Sequence, residues 1–158
     1  MEKLKQITLY TDGACSGNPG VGGYGGILLY GVHKKEYSGG EIYTTNNRME
    51  IMAVIEGLKL LKYPCLVNVY SDSAYTVNAF QNGWVIAWKQ NGWKKADGKP
   101  VLNSDVWDKL YMLTERHNVV FNKVQGHADD VLNNRCDQLA REAITQIKKS
   151  LPEKEENA

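Results

Sequence analysis

Two hydrophobic periods divide this chain. Apolar Ile7 and Leu9 alternate with Thr8, the pattern of a half-buried strand, and Gly13, Gly17, Asn18, Pro19 and Gly20 predict a turn directly after it. Residues 24–30 and 35–43 read as two further strands joined near Gly31, Val32, His33 and Lys34, which gives a three-stranded meander. From Asn46 the period lengthens: Ile51, Val54, Ile55, Leu58 and Leu61 recur at helical spacing until Pro64 ends the run. A compact strand at 66–70 leads into a helix through Phe80 that Asp72 or Ser73 can cap. Val106, Trp107, Leu110, Tyr111 and Leu113 mark another helix, and Val119, Val120, Phe121 and Val124 a last strand. Leu139, Ala140, Ala143 and Ile147 form the apolar face of a helix from about Asn133. Strands that alternate with helices in the second half predict an α/β fold with a right-handed crossover between parallel strands.

Composition narrows the class. With 158 residues and 42% hydrophobic content the chain suits one domain, placed at 1–147, with a solvated tail at 148–158 rich in Glu and Lys. There is no apolar run of about 18 residues to span a membrane and no signal-peptide core before the first strand, so a cytoplasmic protein is expected. Cys15, Cys65 and Cys136 are odd in number and lack a C-x-x-C pair, which argues for buried thiols over a disulfide framework or a zinc site. A net charge of +1 excludes a polycation, so any affinity for a polyanion must be local. Gln81 to Pro100 supplies such a patch: four lysines against one aspartate, with Trp84, Trp88 and Trp93 interleaved with Lys89, Lys94 and Lys95. Aromatic and basic side chains so mixed suit a surface that follows a phosphate backbone. Buried core tryptophans with solvated lysines are the plainer alternative.

Four acids carry the candidate chemistry. Each has a local excuse: Asp12 can start a turn, Glu50 can close a capping box with Asn47, Asp72 can cap a helix, and Asp137 can pair with Arg141 at i,i+4. Yet Asp12 and Asp72 follow strands, and the helix that would join those strands carries Glu50, so all four can meet at the carboxyl edge of a sheet. Clustered carboxylates need cations to stay ionised. A ligand set made only of oxygens favours Mg²⁺, with Mn²⁺ able to substitute, and two such ions can clamp a scissile phosphate. Hydrolysis of a phosphodiester is the expected reaction.

The motifs Thr11-Asp12-Gly13-Ala14-Cys15, Gly17-Asn18-Pro19-Gly20, Thr45-Asn46-Asn47-Arg48-Met49-Glu50, Tyr70-Ser71-Asp72-Ser73, Gly126-His127-Ala128 and Asn134-Arg135-Cys136-Asp137 occur in an order and spacing that resembles bacterial type I ribonuclease H over nearly the whole chain. The resemblance implies a mixed five-stranded sheet, three strands antiparallel and then two parallel, flanked by helices. It implies a monomeric endonuclease that cuts the RNA strand of RNA–DNA hybrids and leaves 3′-hydroxyl and 5′-phosphate ends. Asp12, Glu50, Asp72 and Asp137 would hold two Mg²⁺ ions with substrate bound, and His127 would shuttle a proton or help release product. Asn18, Thr45, Asn46, Asn47 and Arg48 would grip the hybrid, and Trp84, Trp88, Lys89, Trp93, Lys94 and Lys95 would form a basic handle within 81–100. Ala74, Gln125 and the pair Asp129-Asp130 depart from the family pattern, which bears on groove contacts and on the histidine loop. Two other readings use the same residues: a hybrid-binding module without chemistry, which the complete acid set opposes, and a DNA nuclease of related fold.

Overall fold

The computed structural model describes residues 4–124 and 130–152. Its meander runs further than the hydrophobic alternation indicates: β1 (Lys5–Ser16) pairs antiparallel with β2 (Gly20–Tyr30), which pairs antiparallel with β3 (His33–Thr44). The turn expected after Asp12 begins only at Gly17, because Gly13 through Ser16 stay in register with Tyr24 through Val21. Small residues facing one another let this polar stretch remain in the ladder where apolar alternation has already stopped.

β4 (Cys65–Ser71) and β5 (Asn118–Lys123) continue the sheet in parallel beyond β1, giving the order β3-β2-β1-β4-β5. The mixed five-stranded sheet is therefore present as the resemblance implies. The crossover from β3 to β4 is α1 (Asn46–Lys59), and α2 (Ala74–Gln81), α3 (Trp84–Gln90) and α4 (Ser104–Arg116) lie between β4 and β5. The last helix is α5 (Val131–Ser150).

Strand alternation sends neighbouring residues of β1 to opposite faces. Ile7 and Leu9 join Ile51, Val54, Leu58, Val67, Val69, Trp107 and Leu110 in the larger core beneath α1 and α4, while Tyr10 packs with Ile27, Cys136 and Leu139 beneath α5. All three cysteines are free thiols, with Cys65 and Cys136 buried.

α5 extends past the domain end placed at Ile147. Lys148 and Lys149 sit in its last turn, where cations favour the negative end of the helix dipole, and Lys148 Nζ donates to Ser16 Oγ at 2.6 Å. The tail expected from Lys148 thus begins later, and Glu153 to Ala158 lie outside the described residues. No described helix is long and apolar enough to cross a membrane.

Candidate active site

The site arises where the parallel ladder between β1 and β4 stops. Its last pair is Tyr10 with Tyr70, and Asp12 and Asp72 each stand two residues further on, level with one another. Asp12 is held in place by its antiparallel partner Gly25 on the other side, so it is a residue within β1 that has lost only one neighbouring strand. The expectation of a carboxylate at a strand end is corrected to that extent.

Glu50 comes from the first turns of α1. Thr45 caps this helix, its Oγ1 accepting from the Arg48 backbone N–H at 3.3 Å. The capping box of Asn47 with Glu50 does not form, because the helix starts too early for Asn47 to be its cap. Glu50 is instead 5% exposed and faces Asp12, which is 6% exposed. On α2 the cap is Ser73, whose Oγ accepts from Thr76 N–H at 3.1 Å, so Asp72 is not used for capping.

Asp137 is brought over β1 by the close seating of α5. A Cβ on Gly25 would lie 2.7 Å from the Cys136 carbonyl oxygen and 2.6 Å from Leu139 Cβ, so only glycine lets the helix backbone approach here. The i,i+4 pair with Arg141 expected from sequence also forms, the guanidinium donating to Asp137 Oδ2. Asp137 thus lines the same cleft as the other three acids while holding its own cation.

Asp12, Glu50 and Asp72 each offer an oxygen within 4.8 Å of the others. Burial, then the charges of Asp72 and Asp137, push the Asp12 carboxyl up to about 8, and a hydrogen bond with Asp137 acts the same way, while the Gly13 N–H opposes them. Glu50 is raised well above the usual carboxylate range by burial first and then by Asp12 and Asp72. Glu50 Oε1 is buried without a hydrogen-bond partner. An orphaned oxygen beside two further carboxylates, in an open cleft of 520 Å³, fits a hard divalent cation and leaves no nitrogen or sulfur donor to favour zinc.

The residues expected to grip a nucleic acid divide. Asn46 and Asn47 line the cleft, exposed at the start of α1, and the Asn18 side chain accepts from the Asn46 backbone N–H at 3.0 Å, tying the β1–β2 turn to that helix end. Thr45 is the cap. Arg48 is engaged elsewhere: its guanidinium forks onto Asp105 at 3.0 and 2.5 Å and reaches Glu41 at 3.5 Å. In the handle, Trp84 is 42% exposed, but Trp88 and Trp93 pack against the core, Trp88 with its centroid 5.9 Å from that of Trp107. Lys89 Nζ bonds Asp108 at 2.8 Å and lies over the Tyr111 ring. Only Lys94 and Lys95 project as exposed cations, on a loop closed by bonds between Lys95 and Lys99 and between Val101 and Trp93. His127 and Gln125 fall outside the described residues.

The RNase H family model matches residues 4–145. The chain belongs to the RNase H family. It is 57% identical over 141 residues to the ribonuclease H of Symbiobacterium thermophilum, covering 89% of this chain and 96% of that protein. The ribonuclease H of Chlorobium chlorochromatii is 59% identical over 140 residues, with the same coverage. Among solved structures, LC9-RNase H1 superposes with a TM-score of 0.82 at 28% identity, over 92% of this chain and 75% of that one. LC11-RNase H1 in complex with RNA/DNA hybrid superposes at 0.70 with 28% identity, over 90% and 99%.

Membership in the RNase H family makes the chain an endoribonuclease and a hydrolase with a divalent-metal requirement. Three functional neighbours escape sequence reasoning: Asp105 and Glu41, which hold Arg48, and Asp108, which holds Lys89. Arg48 and Asp105 are separated by 57 positions, and no local pattern couples them.

Proposed function

We propose that this chain hydrolyses phosphodiester bonds of the RNA strand in RNA–DNA hybrids, leaving 3′-hydroxyl and 5′-phosphate ends. The observation that carries this reading is the set of three carboxylate oxygens within 4.8 Å, one from a residue whose other polar needs the fold leaves unmet, in a member of the RNase H family. Asp12, Glu50, Asp72 and Asp137 would hold Mg²⁺, or Mn²⁺ in its place, two ions with substrate bound. When bound, such ions lower the pKa of attacking water and stabilise charge on the leaving oxygen.

The chain's own part is to hold the acids close together before substrate arrives, so that little reorganisation is needed at reaction. Asn46 and Asn47, fixed by the Thr45 cap and the Asn18 clip, would present amides to 2′-hydroxyls in the shallow groove of the hybrid. Arg48 would meet the backbone after exchanging Asp105 for a phosphate. Lys94, Lys95 and Trp84, with Trp88, Lys89 and Trp93 as their support, would contact the DNA strand. His127 would move a proton or assist product release. We read residues 1–147 as one catalytic domain that works as a monomer in the cytoplasm, where three free thiols are at home.

Replacing Asp72 by Asn tests this reading. With Mg²⁺ the variant should keep its circular dichroism spectrum and lose hybrid cleavage, and undiminished cleavage would remove Asp72 from the proposed ligand set.

A further inference from the structure

Asp137 belongs to two neighbourhoods. Its carboxyl hydrogen-bonds Asp12 at the cleft, and one helical turn along α5 the Arg141 guanidinium donates to its Oδ2. The close set of oxygens comprises Asp12, Glu50 and Asp72 without it. The four acids therefore divide three to one, and the odd one carries a cation already. Among the described residues, no lysine or arginine forms an ion pair with the other three.

Arg141 is 71% exposed at its side chain, and a pair of that kind on an ordinary helix surface contributes only a few tenths of a kcal/mol to stability. Its position matters more than its strength. A fixed positive charge beside the fourth acid opposes a divalent cation there and occupies one of the two oxygens that could receive it. We infer that Arg141 is a positioning residue for cation loading: it holds the Asp137 carboxylate on the α5 side of the cleft, so that the three-acid set fills first and Asp137 joins only with substrate. This rests on the hydrolase reading above and adds an order of assembly to it.

The test is Mn²⁺ binding to the full chain without nucleic acid, followed by the electron paramagnetic resonance signal of unbound Mn²⁺. Arg141→Gln should bind Mn²⁺ roughly three- to tenfold more tightly than the wild type, the size of one removed charge at a half-exposed site. Arg141→Lys, which keeps the charge, should stay near wild type. In an Asp137→Asn background, itself within about twofold of wild type, the gain from Arg141→Gln should largely vanish, which a structural role of the arginine would not produce. Unchanged or weaker binding by Arg141→Gln, with binding still lost in Asp72→Asn, would overturn the role of Arg141 and leave the cation site standing. Wild-type binding that survives Asp72→Asn intact would overturn the site and this inference together.

Discussion

A Cβ placed on Gly13 would lie 2.5 Å from the backbone nitrogen of Glu50 and 2.6 Å from the carbonyl carbon of Met49. The central strand and the crossover helix meet backbone to backbone at this point, and that contact sets how far Glu50 stands from Asp12. Since neither backbone can rotate aside, Gly13→Ala must push α1 off β1. It should destabilise the protein by about 1–3 kcal/mol and reduce cleavage by more than the loss of folded protein explains. Thermal unfolding beside cleavage rates at a temperature where both proteins are folded checks this, and wild-type rates would show that the spacing is not critical.

The acid cluster should make the protein weaker as pH rises when no metal is present. Asp12 keeps its proton in the folded state up to about pH 8, whereas the unfolded chain releases it near pH 4. Between these values the folded state binds more protons, so stability falls with increasing pH. Asp12→Asn should remove that dependence and raise Tm in EDTA at pH 8 by roughly 3–8 °C, with little effect at pH 4. Equal Tm for variant and wild type at pH 8 would mean that the acids are not in conflict.

His117 should act in the opposite sense. It is buried, its Nδ1 accepts from the Cys65 backbone N–H at 3.0 Å, and burial followed by the Arg116 charge lowers its pKa. The unfolded state then binds the extra proton, so stability is full above about pH 6.5 and is lost as pH falls below it. His117→Asn, which retains an acceptor, should flatten the curve in that acid range. His117→Ala should instead cost about 1–3 kcal/mol at every pH, the penalty for an unpaired buried N–H. Denaturant melts from pH 5 to 8 distinguish the two.

Lys94 and Lys95 are the exposed cations of the handle. Changing both to Ala should leave Tm within about 1 °C, weaken hybrid binding, and reduce the slope of log K against log salt by roughly one to two, because each phosphate contact releases close to one counterion. An unchanged slope would return both lysines to the role of solvating side chains.

Much of this was legible in the sequence, for definable reasons. Helical spacing of Ile51, Val54, Ile55 and Leu58 marks α1 because that face is buried throughout. Asp12 and Asp72 reveal themselves by breaking apolar strands at matching places. The extent of β1 beyond Asp12 was hidden, since Gly13 to Ser16 owe their strand conformation to pairing with β2 and not to their own hydrophobicity. The engagement of Arg48 by Asp105 and of Lys89 by Asp108 was hidden for a related reason: both are set by how α4 packs, across long separations in the chain. Charge counting gave the handle its net +3, but packing decides that Lys89 is pinned while Lys94 and Lys95 stand exposed.

The most direct test of the central claim is strand-labelled cleavage during a Mg²⁺ titration, with hybrid, duplex RNA and duplex DNA as substrates, for the wild type and Asp12→Asn. Cutting confined to the RNA strand of the hybrid, absent in EDTA, rising with Mg²⁺ and abolished in a folded Asp12→Asn protein is the predicted result. Cleavage that persists in EDTA or in Asp12→Asn, or equal cutting of duplex DNA, would contradict it.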